Sequence, residues 1–303
     1  PAGTAHQPQA WQVFQNAPFC LPWFPFVLQS QLHCNHIDFH MPCTWLKVEW
    51  LFGIRRTGRT RNMALTLASA ARLLSEYGLL REIIQGDDWT LDAQAVNGFD
   101  KPFGSITYDT RQVVSNTLLC CKGRFKAEYL DASMIAVLPH TVAENDFSAT
   151  TKAPGLIVND ARKAMSLLSA AFYGYPQDQL KVVGITGTKG KTTTAYLTQA
   201  MLNGCSGGKC ALFSSVDNCL DGHTYAESDL TTPESMDAFR MMREAADNGM
   251  EYLVMEVSSQ AYKVDRVFGL TFDVAAFLNI SRTISAPSSI RHSRITSTAN
   301  VRS

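Results

Sequence analysis

No stretch of the 303 residues reaches the roughly 18 consecutive apolar positions that a membrane helix requires. The nearest, "APFCLPWFPFVL" (17–28), is short and broken by three prolines. It has neither a basic start nor a small-residue cleavage site, so a secretory signal is not expected. Net charge is missing too: 27 Lys and Arg balance 27 Asp and Glu. Neither nucleic acid nor a membrane surface is therefore expected as a partner. None of the eight cysteines forms a CxxC pair, which reads as reduced thiols in a cytoplasmic protein.

What remains is ordinary soluble composition, 46% hydrophobic and 18% charged, in a chain long enough for two domains of about 100–200 residues. Residues 1–62 differ from the rest. They hold four of the five tryptophans and four of the seven histidines, with Asp38 and Glu49 the only acids. Neither helical nor strand periodicity persists there. His33, Cys34, His36, His40 and Cys43 lack the CxxC or HExxH companions of a zinc site, and chance composition is the better reading. At Met63 a helical stripe begins, with Leu67, Ala70, Ala71 and Leu74 on one face and Gly78 to close it. Met63 is expected to be the natural start and residues 1–62 translated upstream sequence. Strands are then predicted in "FGSITYDTR" (103–111), "NTLLCCKG" (116–123) and "APGLIVND" (153–160), followed by a helix over 161–174 and a link at 177–180. From Lys181 strand and helix alternate at the spacing of a parallel sheet.

The most informative stretch is "VVGITGTKGKTTTAYL" (182–197): apolar strand, glycine turn, helix. Gly187 and Gly190 permit a tight turn whose successive N–H groups face one concavity. The helix N-terminus adds about half a positive charge there. Lys191 can reach the β- and γ-phosphates of a nucleotide, and the Thr192 hydroxyl can ligate Mg²⁺. The pattern, GxxGKT, is shorter than GxxxxGK[ST], because Ile185 stands where the first glycine would be. The plain alternative is a Gly/Thr turn with an exposed lysine pair.

"GITGTKGKTTTAYL", "DLTTPES" (229–235), "MEVSSQAYKVDRV" (255–267) and "FDVAAFLNIS" (272–281) stand in the order and spacing of the Mur ligases, and "ITYDTR" (106–111) supplies the first-domain motif. The chain resembles that family from about Met63 to Ser281. The resemblance implies a small α/β domain for a UDP-linked substrate over 63–176. The start of a P-loop-type, parallel-sheet ATP-binding domain would follow over 181–281. It implies a cytoplasmic, monomeric ligase of peptidoglycan synthesis whose substrates are ATP, UDP-MurNAc-dipeptide and an amino acid. Gly187, Thr188, Lys189, Gly190, Lys191, Thr192 and Thr193 would hold the ATP phosphates. Glu256 would join Thr192 at Mg²⁺, and Lys191 and Glu256 would serve catalysis. Thr110, Thr231, Thr232, Ser258 and Arg266 would hold the UDP-muramyl substrate. Lys189 in place of the commoner Asn resembles the lysine-adding branch. The plain alternatives are a helix cap for Thr231 and Thr232, a strand-end carboxylate for Glu256 and a surface charge for Arg266. "MIAVLPHTVAEND" (134–146) departs from the family's pattern, where a helix should lead into a strand.

After Ser281 the family continues with an Asp-His pair and a carbamate-bearing lysine. Here residues 282–303 hold four arginines, six serines and no acid. They read as a tail translated out of frame, with a genuine basic tail as the alternative. The rest of the nucleotide domain and the amino-acid-binding domain would then be missing. No ligase turnover is expected from such a chain, and residues 181–281 would fold poorly without a covering partner. Two other functions fit the short phosphate loop: a folylpolyglutamate-synthetase-like ligase and a non-catalytic nucleotide-binding fragment.

Overall fold

The first apolar stripe does form a helix, four residues beyond its methionine. Helix α1 (Leu67–Glu76) begins at Thr66, whose Oγ1 accepts from the Ser69 amide at 3.1 Å while Ser69 Oγ accepts from the Thr66 amide at 2.8 Å. This reciprocal cap satisfies two of the amides that a helix start leaves open. Leu67, Ala70, Ala71 and Leu74 are buried on one face. Gly78, at φ +65°, turns the chain out of the helix, a conformation that a Cβ disfavours.

The computed structural model describes residues 64–137 and 140–281, all within one compact unit. The expected upstream extension, its His/Cys cluster and the tail after Ser281 lie outside the described residues.

A first sheet follows α1: β1 (Leu80–Gln85), β2 (Asp88–Thr90), β3 (Ser105–Thr107), β4 (Thr117–Cys121), β5 (His140–Ala143) and β6 (Gly155–Val158). Their order is β2-β1-β6-β5-β4-β3, with β3 to β6 parallel and β1 and β2 antiparallel. Every residue of β4 and of β6 is buried, as in parallel strands covered on both faces. The strand expected over 103–111 is only three residues long. Asp109 ends it by accepting from the Arg111 amide at 3.0 Å, which closes a 3₁₀ turn over Thr110–Gln112. In and around the segment 134–146, the described residues include a short helix, α2 (Ala132–Ile135), and β5.

After a second short helix, α3 (Ser148–Thr151), and β6, Asp160 caps α4 (Ala161–Phe172). A 3₁₀ turn over Pro176–Asp178 links it to the second sheet. That sheet comprises β7 (Lys181–Thr186), β8 (Cys210–Phe213), β9 (Asp217–Cys219), β10 (Tyr225–Glu227), β11 (Tyr252–Glu256) and β12 (Val274–Phe277). Helices α5 (Lys191–Ser206), α6 (Ser235–Asp247) and α7 (Ser259–Lys263) connect them. The order is β10-β9-β8-β11-β7-β12, with β8, β11, β7 and β12 parallel and the β9–β10 hairpin antiparallel. Gly184 in β7 has the Phe272 ring 2.6 Å from where a Cβ would stand, so only glycine fits there without displacement. Among the described residues the sheet ends at β12, where Val274 and Phe277 are 56% and 49% exposed.

Helices α4 and α6 join the two sheets. Met236 of α6 is buried in the first sheet's core and Ala170 of α4 in the second's. Ser166 Oγ donates to the Phe268 carbonyl at 2.7 Å. Cys120, Cys121, Cys205, Cys210 and Cys219 are all unpaired. Burial pushes the Cys120 and Cys210 thiols up to about 12, which leaves them unreactive near neutral pH. Among the described residues, no helix is long and apolar enough to cross a membrane.

Candidate functional site

The glycine turn connects β7, the strand between β11 and β12, to α5. Gly187 adopts φ +146°, and a Cβ there would stand 3.1 Å from Leu278 Cβ and 3.2 Å from both the amide nitrogen and the carbonyl oxygen of Asn279. Gly190, at φ +85°, is the N-cap of α5. Not every amide of the turn faces outward, contrary to the sequence expectation. The Thr188 amide donates to the Asn279 carbonyl at 3.0 Å and the Lys189 amide to Asn279 Oδ1 at 3.1 Å. Asn279 Nδ2 returns a bond to the Lys189 carbonyl at 3.0 Å. Asn279 thus splints the turn from the neighbouring strand. The concavity narrows to Gly190, Lys191, Thr192 and Thr193, ahead of the first intrahelical bond from the Thr194 amide to the Gly190 carbonyl. Lys191 Nζ folds back onto the Gly187 carbonyl at 3.0 Å, over the same turn.

Glu256, at the C-terminal end of β11, is 1% exposed. Its Oε2 accepts from Thr192 Oγ1 at 3.1 Å; its Oε1 accepts from the Ser215 amide at 2.9 Å and Ser215 Oγ at 3.2 Å. The two hydroxyls are 2.9 Å apart. A buried carboxylate held by neutral donors favours a cation beside it. One carboxylate and two hydroxyls form the hard oxygen set that suits Mg²⁺, which typically takes few protein ligands and completes its shell with phosphate and water. Among the described residues, no cluster of three His, Cys, Asp or Glu offers a competing metal site. Ser215 and Asn279 escaped the sequence reading. Ser215 lies in no motif and Asn279 only inside "FDVAAFLNIS" without an assigned role; the parallel order β8-β11-β7-β12 brings both to the turn.

The substrate candidates divide into two places. Thr232, fully buried, donates from Oγ1 to the Glu256 carbonyl at 2.9 Å and accepts from the Ser258 amide at 3.0 Å. It does not cap α6, whose N-cap is Glu234; half-buried Thr231 precedes it. Ser258 Oγ caps α7, accepting from the Ala261 amide at 3.2 Å. Arg266 is no surface charge. Its Nε and Nη2 reach Glu234 Oε1 at 2.9 and 2.8 Å, and its Nη1 donates to the Thr232 carbonyl at 3.2 Å. Thr110 lies apart, in a shallow concavity lined by Tyr108, Asp109, Arg111, Phe125 and Tyr129. Tyr108 bridges toward the second sheet, its hydroxyl donating to Asp237 of α6 at 2.5 Å.

Glu234 also meets Lys122 at 2.5 Å and Arg162 at 3.7 Å. Burial would push its carboxyl up, but the hydrogen bond and charge of Lys122, joined by Arg266, outweigh this and hold it below the ordinary 4.5. A carboxylate with a depressed pKa stabilises the fold fully above its unfolded value, and that contribution fades as pH falls through the folded one. Thermal unfolding is therefore expected to be insensitive to this group from pH 7 down to about 4.5 and to fall below it. Glu234→Gln should flatten that acid limb. An unchanged limb in the variant would contradict the assignment.

Fold and turn together define a parallel α/β unit of the phosphate-loop class. Residues 185–283 match the Mur ligase middle domain. The chain is 77% identical over 219 residues to the UDP-N-acetylmuramyl-tripeptide synthetase of Bifidobacterium longum, a match covering 72% of this chain and 42% of that protein. It is 44% identical over 220 residues to the UDP-N-acetylmuramoyl-L-alanyl-D-glutamate–L-lysine ligase of Enterococcus faecalis, covering 72% and 43%. In fold alone it resembles a solved UDP-N-acetylmuramoyl-L-alanyl-D-glutamate–2,6-diaminopimelate ligase, with a TM-score of 0.59 at 17% identity, covering 79% of this chain and 45% of that one. The chain belongs to the Mur ligase family and spans less than half the length of these relatives.

Proposed function

We propose that the chain carries the nucleotide-binding and muramyl-peptide-binding elements of an ATP-dependent ligase of peptidoglycan synthesis, acting in the cytoplasm as a monomer. The reaction joins an amino acid, L-lysine, to UDP-N-acetylmuramoyl-L-alanyl-D-glutamate. Residues 63–176 serve as the UDP-substrate domain and residues 181–281 as the start of the ATP-binding domain. Lysine is favoured by Lys189 and by the lysine ligase among the relatives. The geometry of Lys191, Thr192 and Glu256 around the start of α5 carries this reading.

A carboxylate is a poor electrophile until one of its oxygens becomes a leaving group. The γ-phosphoryl of ATP passes to the substrate's D-glutamate carboxylate, releasing ADP and leaving an acyl phosphate. The amino acid's amine then attacks the acyl carbon, an amide forms, phosphate departs and the amine's proton is lost. The amides of Gly190 to Thr193 and the Lys191 ammonium are placed to meet charge on the moving phosphoryl group. Mg²⁺ held by Thr192 and Glu256 would supply further neutralisation of the phosphate oxygens. Thr232, Ser258 and Arg266 bind the muramyl-peptide, and Thr110 the uridine end.

Because the chain spans under half of its relatives, binding is the appropriate readout. Isothermal titration with UDP-N-acetylmuramoyl-L-alanyl-D-glutamate and with Mg²⁺ and a non-hydrolysable ATP analogue should show one site for each. A tetrahydrofolate substrate should not bind. Folate binding in place of the muramyl-peptide would overturn the reading in favour of the folylpolyglutamate-type ligase. Nucleotide binding alone would favour the non-catalytic fragment.

A further inference from the structure

The ionic cluster around Glu234 lies between the ligand-bearing edges of the two sheets. Lys122 directly follows the C-terminal end of β4, next to β3, whose own C-terminal end leads to Thr110. Glu256 and the glycine turn lie at the C-terminal ends of β11 and β7. Ligands of open α/β sheets gather at such ends. One carboxylate thus spans both: Oε1 takes Arg266, and Oε2 takes Lys122 and the more distant Arg162.

We propose that Glu234 is a positioning residue for the muramyl-peptide cleft, holding Arg266 and Lys122 in one arrangement so that their remaining N–H groups meet the anionic substrate together. Three observations converge. First, the cluster carries three cations on one carboxylate, so two positive charges remain unmatched within it; Asp237, on the same helix as Glu234, is engaged by Tyr108 and Arg240. A diphosphate or peptide carboxylates supply the missing charge. Second, the donors are incompletely used. Of the five N–H groups of a guanidinium, Arg266 directs two to Glu234 and one to Thr232, which leaves two. Lys122 gives one of three to Glu234 while its ammonium sits 3.8 Å from the centre of the Tyr108 ring. Third, Glu234 stands at the N-cap of α6, yet its side chain makes no cap bond there. Glutamate is not among the residues that favour a helix N-cap, so capping does not account for it there, whereas the cross-sheet contacts do.

This inference rests on the functional reading above, and its test separates the two. The full chain and its variants are titrated with UDP-N-acetylmuramoyl-L-alanyl-D-glutamate, with the ATP analogue as control. Glu234→Gln should weaken muramyl-peptide binding by about tenfold or more while leaving nucleotide affinity unchanged. Glu234→Asp, which keeps the charge, should recover part of the loss. Lys122→Met should weaken binding alone, and combined with Glu234→Gln it should add little, because both act through one arrangement. Unchanged binding in Glu234→Gln would make the cluster merely structural and overturn the proposal. Tighter binding would overturn it as well, since it would mean that the carboxylate only competes with the anionic ligand. If Glu234→Gln does not fold, Lys122→Met decides: unaltered affinity overturns the proposal. Absence of muramyl-peptide binding by the unaltered chain would defeat the functional reading and this proposal with it.

Discussion

Lys191→Ala is expected to lower affinity for Mg²⁺ and ATP by between about 10- and 150-fold, measured by titration. The range is the loss of one hydrogen bond to a charged group, about 1.5–3 kcal/mol. The effect should fall on binding and not on folding. Lys191 is only half-buried, and among the described residues its side chain bonds the Gly187 carbonyl, which water can replace. The thermal midpoint should therefore move little. A large loss of stability with unchanged nucleotide affinity would show that the lysine holds the turn together and does not grip phosphate.

The second large effect concerns Glu256. Glu256→Gln should abolish the Mg²⁺ dependence of nucleotide affinity, from about tenfold or more in the unaltered chain to less than about twofold. The amide can replace the carboxylate in the local network. Its oxygen can accept both Ser215 bonds and its nitrogen can donate to Thr192 Oγ1. What it cannot offer is a negative charge. Glu256→Ala is a harsher change, leaving buried donors without a partner at about 1–3 kcal/mol each. Titrations with and without the ion, run on Glu256→Gln, isolate the charge from the fold. Full Mg²⁺ dependence in that variant would remove Glu256 from the metal site.

Much of this arrangement was legible in the residues. The stripe of Leu67, Ala70, Ala71 and Leu74 is the buried face of α1. The run Lys181–Thr186 is a central parallel strand, because a sheet covered on both faces needs continuous apolar residues. Glycine spacing exposed the turn before α5, since Gly187 and Gly190 each answer a local backbone demand. The antiparallel pairs were not legible. β1–β2 and β9–β10 are short and carry polar residues, so neither period stands out. The site's long-range contacts were hidden too. Thr188 and Lys189 looked like phosphate donors until the sheet order brought Asn279 onto their amides. Ser215 reaches Glu256 across 41 residues, and Lys122 reaches Glu234 across 112. Such pairings depend on strand order, which no local pattern encodes.

Amide hydrogen exchange on the full chain, with and without Mg²⁺ and a non-hydrolysable ATP analogue, probes the phosphate grip most directly. Slowed exchange at Gly190, Lys191, Thr192 and Thr193 on adding nucleotide, with Thr188 and Lys189 already slow through Asn279, is the expected result. Nucleotide binding that leaves the start of α5 exchanging as before would contradict it.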